Sequence, residues 1–151
     1  MYFIDRNKLE QYLLYMDGIL QQVQHHQFET LIEKMGLERM AQVIVESMID
    51  VGNMMIDGFI MRDPGSYEDI IDILVDEKVL PNEESNGYKE IFQLRKMLVQ
   101  QYMDVNHDQL LETLKRNDSS LEMFSTRIRK YLKEELGPVS AFSNTELEEE
   151  K

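Results

Sequence analysis

At 151 residues, with 42% aliphatic, aromatic and Met residues, 30% charged residues and only 7 Gly and 3 Pro, the chain is sized for one domain with a real core. It is too poor in breakers for a many-stranded β fold. The absence of Cys and the presence of only 3 His exclude disulfides, thiolate metal sites and a Cys nucleophile, and leave little for a His-built metal centre. A formal charge of −13 argues against a surface that grips nucleic acid non-specifically, so no DNA partner is expected.

The N-terminus, Met1-Tyr2-Phe3-Ile4-Asp5-Arg6, turns charged within its first residues and lacks the apolar run of a signal peptide. Asp5 is placed to cap a first helix, whose apolar stripe runs through Leu9, Leu13, Met16, Leu20 and Val23 with Tyr12 and Ile19 beside it. From His25 to Gly36 the pattern is irregular and fits either a continuation or a bend.

A second helix follows from about Leu37, with Leu37, Met40, Ala41, Ile44, Met48, Val51, Met55 and Phe59 on one face. Glu46, Asp50, Asn53 and Asp57 fall within about 60° of one another on the opposite side. This helix is apolar nearly all round apart from that strip, so burial on more than one side is expected, part of it against a second subunit. The same four polar residues rule out a membrane span. With neither span nor leader in view, a cytoplasmic protein with no membrane partner is expected.

Asp63-Pro64-Gly65 is expected to end this helix, and Ser66-Tyr67-Glu68-Asp69 to open a third with Ile70, Ile71, Leu74 and Val75 inward. Val79-Leu80-Pro81-Asn82 breaks the chain before a fourth helix from about Ser85 to Tyr102. A short helix follows over Asp108 to Lys115. Asn117-Asp118 then opens a last one carrying Leu121, Phe124, Ile128, Tyr131 and Leu132 inward, which Gly137-Pro138 stops. The fold class is therefore all-α, an antiparallel bundle of about five helices over residues 1–136. Residues 137–151, with Glu146-Leu147-Glu148-Glu149-Glu150, are expected to be a flexible acidic tail.

The strip Glu46, Asp50, Asn53, Asp57 has the spacing of paired acid–base groups or of a cation site, but the plainer reading is a polar edge hydrogen-bonded across an interface. A helical di-metal bundle brings E-x-x-H pairs on facing helices, and this chain has none. No metal and no cofactor is expected. His25-His26, in a Gln-rich stretch, reads as an exposed pair. The 11 Met suit an adaptable core or interface. No phosphate loop, G-x-S-x-G or H-E-x-x-H occurs.

The remaining feature is Leu94-Arg95-Lys96-Met97-Leu98-Val99-Gln100-Gln101-Tyr102. On a continuous helix Arg95, Val99 and Tyr102 share a face. Chemistry alone favours an Arg paired with an acid and a Tyr in the core. Arg95 with Lys96 as an anion pocket for phosphate is the alternative.

Three stretches taken together resemble the HepT-like branch of the HEPN superfamily: Glu38-Arg39 leading into Glu46-Ser47-Met48-Ile49-Asp50-Val51-Gly52-Asn53, Ser66-Tyr67 to Leu80-Pro81, and Leu94-Arg95 to Tyr102. The resemblance implies a bacterial helical homodimer acting as a metal-independent endoribonuclease toxin, neutralised by a minimal nucleotidyltransferase able to modify the motif Tyr with AMP. The family motif is Arg, four residues, His, any residue, Tyr. Arg95 matches its Arg and Tyr102 its Tyr, while Gln100 stands at the His. His107 lies outside the motif, and Lys96 replaces the Asn that often follows the Arg.

Cleavage of RNA through its 2′-hydroxyl needs a group that exchanges protons near neutral pH, which imidazole does and an amide does not. Arg95, Gln100 and Tyr102 are the candidate site, with Glu46, Asp50 and Asn53 as its supporting strip. The dimer interface is expected on the second and fourth helices, with RNA as the substrate. The alternative is a non-catalytic dimeric module that keeps the scaffold to bind a nucleotide or a partner.

Overall fold

The computed structural model describes residues 4–137, so the tail expected over 137–151 lies outside the described residues apart from Gly137. Within them the chain forms six α-helices and no strand: α1 (Arg6–His25), α2 (Leu31–Gly58), α3 (Tyr67–Asp76), α4 (Ser85–Gln100), α5 (His107–Arg116) and α6 (Asp118–Leu136). One 3-10 turn, Asn82–Glu84, leads into α4.

Helix α1 starts where its cap predicts, the Asp5 carboxylate accepting from the Lys8 N–H, and it buries Leu9, Leu13, Met16, Leu20 and Val23. It ends at His25, and α2 begins at Leu31, six residues before the expected Leu37. The cause is a full capping box. The Thr30 hydroxyl accepts from the Glu33 N–H at 3.2 Å, and the Glu33 carboxylate accepts from the Thr30 N–H at 2.9 Å. At its other end α2 closes at Gly58 rather than at Asp63, because the chain leaves the helix through Phe59 and the positive-φ Ile60.

Helix α2 is the central post. Leu37, Ala41, Ile44, Val45, Met48, Ile49, Val51, Met55 and Ile56 are all buried, and α1, α3, α4 and α5 pack around it. The burial expected from a second subunit is thus supplied along most of α2 by the chain's own helices.

Helix α3 approaches so closely that a Cβ on Gly52 would lie 2.5 Å from the Ile70 Cγ2, which is why glycine stands there. The Ser66 hydroxyl caps α3 by accepting from the Asp69 N–H at 3.1 Å. Gln93 to Glu68 at 2.7 Å and Lys89 to Asp72 at 2.6 Å tie α3 to α4. Helix α6 returns across α1 and α4, where Arg129 grips Glu10 through Nε and Nη2 at 2.7–3.1 Å. The buried Tyr88 hydroxyl lies 2.9 Å from both the Glu84 carboxylate and the Ser120 carbonyl. Among the described residues no helix is long and apolar enough to cross a membrane.

Candidate functional site

Arg95 lies on the second-last turn of α4, facing α2 and the start of α3. Its Nε donates to Glu46 Oε1 at 2.6 Å, and its guanidinium carbon stands 4.8 Å from the centre of the Tyr67 ring. The ion pair is partly open, with the Arg95 side chain 29% and the Glu46 side chain 37% exposed. The hydrogen bond to Glu46, helped by that residue's charge, outweighs the partial loss of solvent and holds the Arg95 guanidinium more firmly protonated than usual. The polar strip on α2 thus contributes one residue directly to Arg95.

The other strip residues do different things. Asp50 stands one turn further along α2, at the rim of a shallow groove of about 340 Å³ that also exposes Tyr12, Tyr15, Arg39 and Glu46. Partial loss of solvent, and then the neighbouring Glu46 charge, push the Asp50 carboxyl up, with Lys8 opposing them. Asn53 is half-buried and has no side-chain hydrogen bond among the described residues, and Asp57 is exposed.

On the other side of the ion pair a groove of about 610 Å³ runs between α3 and α4, lined by Tyr67, Phe92, Arg95, Lys96 and Gln100 among others. Arg95 and Gln100 are about 140° apart on a straight helix, yet both line this one groove. Gln100 manages this as the exposed last residue of α4. A guanidinium, an ammonium and an amide on one wall can hold a phosphate through charge and hydrogen bonds.

Tyr102 departs from the expected geometry. Helix α4 ends at Gln100. Gln101 leaves the helix at φ −106° and ψ 39°, and a turn closes through the Asp104 N–H to the Gln101 carbonyl at 3.0 Å. Tyr102 therefore shares no helical face with Arg95 and Val99, and it is not in the core, being 66% exposed. The residue is open to solvent.

Two features of this region carry no local sequence signal. Tyr67, the first residue of α3, covers Arg95 only because α3 folds back along α4. His107, the first residue of α5, has its Nε2 2.7 Å from Glu38 Oε2 on α2, across 69 residues of chain, and does not line the Arg95 groove. His25 and His26 are exposed, each with its ring Nδ1 within 2.9 Å of a carbonyl one helical turn earlier. No group of three or more His, Asp or Glu with metal-holding geometry occurs among the described residues.

A family model described as Ribonuclease HepT-like matches residues 9–128. A relative from Bacillus subtilis (strain 168), named "Putative RNase YutE", is 46% identical over 143 residues, covering 94% of this chain and 99% of its own. The solved structure of YutE from Bacillus subtilis, described as a cytosolic protein of unknown function, matches with a TM-score of 0.90 at 45% identity. It covers 94% of this chain and 100% of the solved one.

Proposed function

The chain belongs to the ribonuclease HepT-like family, and from that membership we propose that it acts on RNA as a metal-independent, slow endoribonuclease built on a homodimer. The observation that carries this reading is the placement of Arg95. Its Nε is fixed by Glu46 and its face by Tyr67, while the groove it lines also holds Lys96 and Gln100. In this reading Arg95 and Lys96 hold the scissile phosphate and the Gln100 amide orients it by hydrogen bonding. The 2′-hydroxyl gives its proton to solvent water rather than to a positioned base as its oxygen bonds to phosphorus, the bond to the 5′-oxygen breaks with that oxygen taking a proton from water, and the absence of the base sets the rate. A positioned acid–base group typically contributes about 10²–10⁴-fold.

The dimer is proposed to form at one end of the bundle, a refinement of an interface on α2 and α4. Leu31, Ile32 and Met35 on the first turns of α2, and Val99, Tyr102 and Met103 around the end of α4, are all exposed. The His107–Glu38 bond brings these two ends together. Apolar surface of this kind on an otherwise charged protein is what a second copy would cover. Tyr102 would then stand beside the partner. Its open phenol supports a role as the acceptor of AMP from a minimal nucleotidyltransferase, the antitoxin of a toxin–antitoxin pair.

Gln100 itself favours a second reading, a non-catalytic dimeric module that binds RNA or a nucleotide on the same groove. Cleavage of a labelled structured RNA in EDTA by wild type, Arg95→Ala and Gln100→His separates the two. Cutting by wild type that is lost in Arg95→Ala establishes the ribonuclease. If wild type is silent and Gln100→His cuts, the groove binds and lacks only its base, and the module reading stands. If all three are silent and Arg95→Ala binds RNA as well as wild type, both readings are wrong.

A further inference from the structure

A cleft of about 360 Å³ opens between the α3–α4 connection and α6. Its floor is apolar, with Val75, Val79, Leu80 and the ring of Tyr131, which stands edge-on to Phe59 at 5.1 Å. Its rim carries three cations, Lys78, Arg127 and Lys130, against two acids, Glu134 in the lining and Glu84 paired with Arg127. That excess of positive charge is unusual on a chain of −13. Elsewhere Arg62, Lys89, Arg95, Arg116 and Arg129 each lie within 3.5 Å of a carboxylate oxygen, as Arg127 does here, whereas Arg39 and Lys96 have no carboxylate partner among the described residues.

The three rim cations differ in how they are held. Arg127 is fixed by Glu84, its Nη2 2.9 Å and its Nε 3.3 Å from the two carboxylate oxygens. Lys130 has only Glu134, at 3.9 Å, with both side chains largely exposed. Lys78 has no carboxylate partner among the described residues.

The backbone of Lys78 is also unusual. It sits just past the end of α3 at φ 64°, the left-handed position that glycine or asparagine normally occupies after a helix. The loop there closes as a helix stop should, with Val79 N–H donating to the Leu74 carbonyl at 2.8 Å and Lys78 N–H to that of Val75 at 3.0 Å. Glycine would therefore serve the turn better, and the strain of a lysine there is the kind kept where a side chain is needed.

We propose that this cleft is a binding site for a phosphorylated small molecule of mononucleotide size. Lys78 and Lys130 take the phosphate as two mobile point charges, Arg127 closes the rim, and the body of the ligand lies on Val79, Leu80 and Tyr131. The volume falls at the low end of small-molecule pockets, which suits a mononucleotide better than a nucleic-acid strand. The site is independent of the Arg95 groove and of the ribonuclease reading.

The test is amide chemical-shift titration of the full chain at fixed ionic strength with adenosine 5′-monophosphate, inorganic phosphate, adenosine, and a short RNA lacking terminal phosphates. The expected result is saturable movement of amides at 78–82 and 127–134 with the monophosphate and, more weakly, with phosphate, and none with adenosine. The double variant Lys78→Gln, Lys130→Gln should raise the Kd for the monophosphate by about tenfold or more. Lys78→Gly should raise the melting temperature while also weakening binding. The proposal is overturned by shifts confined to other residues, or by no saturation up to about 10 mM monophosphate. Binding untouched in the lysine variants, or RNA binding here more tightly than the monophosphate, overturns it as well.

Discussion

Whether Arg95 is held by Glu46 firmly enough to be preorganised, yet loosely enough to meet a phosphate, can be measured. The two side chains are 29% and 37% exposed and meet at 2.6 Å. At an effective dielectric constant of about 20, unit charges at that distance attract by about 6 kcal/mol. Most of that is offset by lost hydration and by the ordering of two long side chains. Pairs this open couple by about 0.2–1 kcal/mol, and the good geometry puts this one near the upper end.

A double-mutant cycle of Glu46→Gln and Arg95→Met, followed by urea denaturation and circular dichroism, should return a coupling of about 0.5–1 kcal/mol. Each single variant should melt about 2–4 °C lower. The coupling should shrink in about 1 M salt, where the screening length falls to about 3 Å. A coupling below about 0.2 kcal/mol at low salt would mean that Glu46 does not hold Arg95. A loss above about 3 kcal/mol in either single variant would make the pair a buried structural element, unavailable to any substrate.

Two further predictions test the packing around this pair and the charge balance of the bundle. Gly52→Ala would set its Cβ 2.5 Å from the Cγ2 of the buried Ile70. An overpacking cost of about 1–3 kcal/mol should outweigh the helix-propensity gain of about 1 kcal/mol, and an unchanged melting temperature would refute the close α2–α3 contact. Asp17 has its carboxyl pushed up by burial, against the lowering effects of Ser125 and Arg129. The folded chain therefore holds more protons than the unfolded one from about pH 4 up to that raised value, and this group's contribution to stability falls as pH rises through the window. Asp17→Asn keeps an acceptor for the Ser125 hydroxyl, 2.8 Å away in the native chain. Its stability relative to wild type should improve from pH 3 to pH 7, and a relative loss over that range would contradict the assignment.

Much of the architecture could be read from the sequence wherever a helix has one buried face. The α1 stripe Leu9, Leu13, Met16, Leu20, Val23 is the buried set itself, and Leu121, Phe124, Ile128 and Leu132 of α6 are buried as expected, with Tyr131 only half so. Helix α2 was harder. Its nearly uniform apolarity signals burial but not by what, and the central position that explains it is a property of the whole packing.

The start of α2 was legible in principle, since Thr30-Leu31-Ile32-Glu33 is a capping-box pattern. It is masked by the Gln-rich approach before it and by Gly36 after it. Tyr102 failed for a different reason, because counting i, i+4, i+7 from Arg95 assumes a helix that continues past Gln100. The ion pair Glu46–Arg95 was signalled by polar residues on an apolar helix beside a lone Arg. Tyr67 over Arg95, and His107 on Glu38, depend on how distant segments meet and leave no periodic trace.

If RNA is held in this groove as proposed, binding and chemistry are separable there, and the hydrogen bonding of Arg95 gives the reason. Its bond to Glu46 uses Nε alone, so the fork of two terminal nitrogens keeps its donors for an anion in the groove. Glu46 thus orients the guanidinium without occupying the part best suited to a phosphate, and Tyr67 fixes its plane. Nothing in that arrangement requires position 100 to exchange a proton. Gln100 supplies an amide that donates and accepts hydrogen bonds in either role, whereas transfer from a 2′-hydroxyl calls for a base. The partly buried imidazole of His107 is engaged with Glu38 and lies outside the groove's lining. Removing the Arg95 charge should therefore weaken RNA binding and cleavage together, while Gln100→His should raise cleavage and leave binding nearly unchanged. If Gln100→His instead strengthened binding without cleavage, the groove would not hold the reacting bond at position 100, and the module reading would be the one left standing.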